Sequence, residues 1–156
     1  DVEIYENLKS VPTKKVDSIE FVDASSIFEK FGLVTELENV ENRKSWLKCG
    51  GYIAIDKTEA LTAIDVNSGK YTGSNNLEQT ALSVNIEAAI EIMRQLRLKD
   101  IGGIIIIDYI DLENKNDQGK VIETMKKEAL KDRSRIDIKG YTKLNLVELT
   151  RKKLYV

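Results

Sequence analysis

Histidine is absent from all 156 residues. That excludes a Ser-His-Asp triad, an imidazole general acid, a zincin motif and a His-ligated metal built from this chain alone. Cysteine is nearly absent: Cys49 is the only one. No disulfide can form within the chain, which fits a reducing, cytoplasmic setting. No apolar run approaches the roughly 20 residues of a membrane span, so no membrane partner is expected. The N-terminus, DVEIYENLKS, lacks a signal-peptide pattern and an initiator Met, and the chain reads as a processed or excised piece of something longer. Internal repeats and low-complexity tracts are absent too.

What is present is the composition of an ordered soluble domain, 42% hydrophobic and 32% charged, in a chain long enough for one core. The net charge of −2 is unevenly spread. Residues 120–156 carry 11 Lys and Arg against 5 Asp and Glu, a balance of +6 that leaves −8 on the remainder. An acidic body with a basic tail suits a metal site beside an anion-binding surface, although two unequally charged, solvated helix faces account for it as well.

Along the chain, residues 15–24 predict a strand ending near Asp23, then a helix capped by Ser25 or Ser26. Phe28, Phe31, Leu33 and Leu37 follow one helix face loosely, and Gly32 is a candidate break. Gly50-Gly51 marks a turn, and residues 52–55 and 60–66 predict an antiparallel hairpin. After a Gly- and Asn-rich loop, Asn76 and Gln79 form a cap pair for the longest helix. Its stripe of Leu77, Ala81, Val84, Ala88, Ile92 and Leu96 faces a sheet. Gly102-Gly103 stops it. The apolar run at 103–108 predicts a strand covered on both faces. A second helix at about 117–131 and two short strands complete a layered α/β or α+β domain, a mixed sheet with flanking helices. Trp46 and Phe21 are expected in the core.

Two carboxylates carry the chemistry. A strand, long helix, strand connection normally makes the two strands parallel neighbours, and Asp65 and Asp108 fall at their carboxyl ends, the edge where α/β sheets bind ligands. Carboxylates held together there repel each other, and a cation between them relieves the repulsion. Mg²⁺ takes one or two carboxylates and keeps waters for a phosphate substrate. Asn67, two residues on, returns to the same face and can orient a carboxylate or a water. Asp111 can supply a further ligand. A lone strand-terminal Asp is more often a turn or cap residue; the pair brings the metal reading level with it. Phosphatase, phosphotransferase, nuclease and plain binding module all remain open.

The sequence around the pair is more specific. GGYIAIDKTEALTAIDVNSGKYTG (50–73) and NLEQTALSVNIEAAIEIMRQLRLKDIGGIIIIDYIDLEN (76–114) resemble the catalytic core of the ribonuclease E/G family. Tyr109 replaces the usual Phe, and Leu112 the usual Met. The tail DRSRIDIKGYTKLNLVELTRKKL resembles the family more loosely, with Leu144-Asn145 where Phe-Gly is usual; Asn tolerates the left-handed turn that Gly adopts freely. The resemblance implies a deoxyribonuclease-I-like catalytic subdomain over 49–156, preceded by a segment, 1–48, from the end of a ribonuclease-H-like portion. It implies a Mg²⁺-dependent endoribonuclease (Mn²⁺ able to substitute) acting in RNA processing and decay. Such an enzyme cuts single-stranded, A/U-rich RNA with metal-activated water and leaves 5′-phosphates. Asp65 and Asp108 correspond to the family's metal-binding aspartates and Asn67 to the supporting amide. Full-length members carry RNA-binding domains, and a cysteine pair sharing Zn²⁺ across a homo-oligomer. Cys49 does not match that pair, so this chain is expected to be monomeric, zinc-free and poorly active alone. Arg133, Arg135, Lys139 and Lys143 are candidate phosphate contacts and Tyr141 a candidate base-stacking ring. Gln95, Arg97 and Lys99 either support the site or pack beneath it. The rivals are another metal-dependent phosphotransfer enzyme and a catalytically weak RNA-binding scaffold.

Overall fold

The structure is a computed structural model that describes residues 2–10, 19–22, 27–69 and 77–154. The chain divides into two units, Asp1–Glu38 and Asn39–Val156. In the first lie helices α1 (Val2–Lys9) and α2 (Ile27–Lys30), and α3 (Leu33–Glu41) begins there. None of its described residues is buried. Phe21 is exposed and meets the Tyr5 ring at 5.4 Å, so the expectation of a core Phe21 fails. Gly32, at φ 62°, does break the helical run between α2 and α3. Ser25 and Ser26 and most of the strand expected at 15–24 lie outside the described residues, and residues 19–22 form no strand.

The second unit holds a six-stranded mixed sheet, β1 (Lys44–Trp46), β2 (Tyr52–Lys57), β3 (Thr62–Asn67), β4 (Gly103–Asp108), β5 (Ile136–Tyr141) and β6 (Val147–Arg151), with spatial order β1-β2-β3-β4-β6-β5. Neighbours β2 and β3 form the antiparallel hairpin the sequence predicts. β3 and β4 are parallel, joined through helix α4 (Leu77–Leu98). α5 (Lys115–Ala129) leads into the β5–β6 hairpin. The fold is thus α/β, with a mixed sheet and helices packed on it.

Alternation along the strands decides which face the helices cover. Ile53, Ile55, Ile64, Val66, Ile105, Ile107, Val147 and Leu149 point one way and are buried with Val84, Ala88, Ile92, Met93 and Leu96 of α4 and Val121 and Met125 of α5. At about 25 cal/mol per Å² of apolar surface, this shared core is the main stabilising term. Leu77 is the exception in the expected helix stripe, since it is exposed at the first position of α4. Asn76 lies outside the described residues.

The strand β4 corrects a second expectation. Its isoleucine run is not buried on both sides: Ile105 and Ile107 have no exposure, whereas Ile104 is 52% exposed and Asp108 is exposed. An unbroken apolar run cannot by itself reveal whether a second layer is present. Helix α4 also ends before Gly102. Asp100, at φ 43°, takes the left-handed position, with Asp100 N–H donating to Arg97 O and Ile101 N–H to Leu96 O. That is a Schellman-type end built on Asp instead of Gly. The carboxylate at that position has its own use: Arg151, buried in β6, donates to Asp100 at 2.8 Å and to Asp132 at 2.8 Å.

Candidate active site

Asp65 and Asp108 are Cα partners in the parallel β3–β4 register. Each alternates with buried neighbours, Ile64 and Val66 on one strand and Ile107 and Tyr109 beside the other, so both carboxylates emerge on the face opposite the helices. Adjacent strands lie roughly 4.8 Å apart. Burial, then the negative charges of Asp65 and Asp111, raise the Asp108 carboxyl above its ordinary value of 3.8. Asp111, in the exposed loop after β4, therefore lies within electrostatic reach of the pair.

Asn67 lies two residues beyond Asp65 on the same exposed face. Its Oδ1 accepts the Gly69 N–H at 2.9 Å, a local turn of the kind Asn favours. Two glycines let the chain pack against this strand end. A Cβ on Gly51 would stand 2.7 Å from the Asn67 carbonyl oxygen, and one on Gly69 would stand 2.5 Å from the Gly50 carbonyl oxygen. Gly69 also has φ 61°. The turn before β2 is thereby closed onto the end of β3.

The end of β4 is held by a residue that the sequence reading passes over. Asn85 of α4 is fully buried, donates to the Ile110 carbonyl at 2.7 Å and accepts the Ile110 N–H at 3.1 Å. The amide replaces a missing strand partner and fixes the segment between Asp108 and Asp111. The available signal was a polar residue on the apolar stripe, next to Val84. Glu87, two residues further on, accepts the backbone N–H of Cys49 at 3.1 Å and also that of Lys48, tying the Gly50-Gly51 turn to the same helix.

The basic candidates are spread along the far side of the sheet. Arg135 precedes β5 at the end level with Gly103, away from Asp108, and Arg133 lies beyond it. Lys139 pairs with Asp137 at 2.6 Å. Only Lys143 lies at the Asp108 end, in the β5–β6 turn. Asn145 in that turn has φ 61°, so it does adopt the left-handed conformation in place of Gly. Gln95, Arg97 and Lys99 do not reach the site; they lie at the end of α4 that leads into the start of β4, away from Asp108, where Gln95 donates to Glu91 at 2.7 Å, Arg97 to the Glu128 carbonyl and Lys99 to the Asn42 carbonyl.

Of the aromatic expectations, that of a core Trp46 fails. Tyr141 is half-buried against the core, its hydroxyl has no hydrogen-bond partner, and burial pushes its pKa up to about 12. Trp46, expected in the core, is 69% exposed. Its neighbour Ser45 takes the inward position, donating to Glu91 of α4 at 2.9 Å. An edge strand of three residues turns only its central one inward, and that one is half-buried.

Asp65, Asp108 and Asp111 offer hard oxygen donors, which suit Mg²⁺ or Mn²⁺ better than a thiophilic metal. Among the described residues no three Cys, Asp or Glu side chains converge closely enough to hold a metal by themselves. An ion held by two carboxylates and its own waters needs no such trio. No helix among the described residues is long and apolar enough to cross a membrane.

Residues 2–154 match the model of the ribonuclease E/G family. Ribonuclease G of Escherichia coli is 44% identical over 127 residues, which are 81% of this chain and 26% of that protein. Ribonuclease E of Nostoc sp. is 47% identical over 131 residues, 84% of this chain and 19% of the relative. Ribonuclease G of Haemophilus influenzae is 40% identical over 127 residues. The chain spans about a quarter or less of the curated relatives it matches.

Proposed function

The chain belongs to the ribonuclease E/G family, and from that membership we propose that it is a deoxyribonuclease-I-like catalytic piece of a Mg²⁺-dependent endoribonuclease acting on single-stranded, A/U-rich RNA. The observation that carries the reading is the register pairing of Asp65 with Asp108 on the open sheet face. Asp65 and Asp108 would hold the ion. Bound there, Mg²⁺ supplies Lewis acidity toward a phosphoryl oxygen and lowers the pKa of water.

The protein's own part is positioning. The parallel register fixes the two carboxylates at one strand spacing, and burial, followed by the charges of Asp65 and Asp111, raises the Asp108 carboxyl, a cost to its charged form that a cation offsets. Asn85 holds the β4 exit, so Asp108 and Asp111 keep their places relative to Asp65. Asn67 uses its oxygen for the turn, and its amide nitrogen remains suited to orient an Asp65 oxygen or a water. Family membership implies attack by external water and a 5′-phosphate product, a route that needs no imidazole, and this chain has none. Of the four basic tail residues, Lys143 is the one at this end of the sheet. Alone, the chain should cleave feebly, because it has few groups to align RNA over the carboxylates.

Asp65→Asn and Asp108→Asn in the full-length enzyme test the reading, with product ends mapped. Each should lower cleavage by more than about 100-fold, beyond what losing a supporting group costs. Near-native turnover in either variant would sink the assignment, and 5′-hydroxyl ends would point to a different phosphotransfer route.

A further inference from the structure

The open face of the sheet carries an aromatic cluster beside the carboxylates. Trp46 of β1 is paired in register with Tyr52 of β2, which is paired in turn with Asn67 of β3. The Trp46 and Tyr52 rings meet at 5.3 Å in a T-shaped contact. Lys44, two residues before Trp46 on the same face, places its ammonium 4.5 Å from the Tyr52 ring centroid. Tyr52 is half-buried by these contacts, whereas Trp46 keeps 69% of its surface exposed.

We propose that Trp46, braced by Tyr52 and flanked by Lys44, is a stacking subsite for a base of single-stranded RNA next to the nucleotide held at Asp65 and Asp108.

Three features select RNA as the occupant. Register places the cluster on the same face as Asp65 and Asn67, one and two strands away, and adjacent strands are roughly 4.8 Å apart. A strand of RNA that crosses the carboxylates toward β1 passes over β2 and meets the cluster. The cluster also joins a ring to a cation, the two groups that single-stranded nucleic acid engages through base and phosphate. Finally, the core gains nothing from an indole in this position. Ser45 fills the inward place, and the large apolar surface of Trp46 lies in water. The proposal rests on the nuclease reading only for its register with the scissile phosphate; base stacking itself does not require the metal.

Trp46 is the only tryptophan, so its emission reports the subsite directly. The 156-residue chain carrying Asp108→Asn is titrated with a fluorescein-labelled A/U-rich single-stranded RNA, and anisotropy and tryptophan emission are followed together. Quenching should saturate in step with anisotropy and persist when Asp65→Asn is added, which separates it from failure of the metal assignment. Trp46→Ala should weaken binding by about 5-fold or more, with Trp46→Phe retaining most of the affinity. Lys44→Gln should lower the slope of log affinity against log salt by about 0.7. Circular dichroism confirms that each variant is folded. Unchanged emission at saturating RNA, absent saturable binding, or equal affinity in Trp46→Ala would overturn the proposal. Emission that shifts with chain concentration without RNA would give this face to a second copy instead, and would overturn it too.

Discussion

The side chains of Asp65 and Asp108 leave the sheet on the same exposed face, from positions directly opposed across the parallel β3–β4 pair. Two like charges at one strand spacing are a liability for folding and an asset for cation binding, and this duality makes the site testable without any substrate.

The Asp108 carboxyl is raised by burial and by its acidic neighbours, so the folded state holds that proton more tightly than the unfolded chain. The contribution of Asp108 to the stability of the metal-free chain therefore falls as pH rises from the ordinary 3.8 through the raised value, and stays lower above it. Asp108→Asn removes the penalty. In thermal melts with chelator, the variant should exceed the parent at pH 7, and the gap should close below about pH 3.8, the unfolded-state value. A gap of the same size at both pH values would show that ionisation of Asp108 is not its cause.

Asn67→Ala should cost on the order of 10–100-fold in Mn²⁺ affinity or in turnover of the full-length enzyme, the range for groups that orient metal ligands. It also loses the Gly69 hydrogen bond, so the melting temperature should fall modestly. Lower stability with unchanged Mn²⁺ titration would leave Asn67 as a turn residue alone.

Removal of Asn85 strands both Ile110 backbone groups. A fully buried, unsatisfied group costs about 1–3 kcal/mol; Ile110 is half-buried, so Asn85→Ala should shift the urea midpoint downward by less than that cost for two such groups. Because the loop it holds carries Asp111 and begins at Asp108, turnover in the full-length enzyme should fall more than the folded fraction does. Loss of activity that tracks the folded fraction would make Asn85 purely structural.

Arg151 and Asp132 form the buried ion pair at the opposite end of the sheet, 2.8 Å apart. Burial alone would raise the Asp132 carboxyl, but hydrogen bonds from Arg151 and the Ser134 N–H, with the Arg151 charge, outweigh it and hold the pKa low. Its contribution to stability is therefore present above the ordinary carboxylate value and lost as pH falls through the depressed one. Urea midpoints between pH 2 and 6 (a range set by carboxylate titration) should drop less steeply in Asp132→Asn than in the parent. Arg151→Met should destabilise by about 3–5 kcal/mol, since it leaves acidic groups without their cation. Parallel acid curves for parent and Asp132→Asn would remove the pair from the acid response.

Much of the architecture is legible in the residues because period and turn chemistry act locally. The alternation through β3, the apolar stripe of α4 from Ala81 to Leu96 and the turn glycines each follow from a few neighbouring side chains. The absent histidines and the aspartates at two strand ends point to a site of carboxylate chemistry before any coordinates are known.

Tertiary structure decided what lies on either side of those elements. Four isoleucines in β4 register hydrophobicity, not the number of layers above them, and only the helix-bearing face is buried. Asn85 reads as one polar residue in a helix until Ile110 is brought against it from 25 positions away. Trp46, expected in the core, faces solvent, because a side chain's direction depends on strand register and on where the sheet ends. Local sequence sets the period of each element. Which face meets solvent, and which distant backbone a buried amide satisfies, are fixed only when the strands pair.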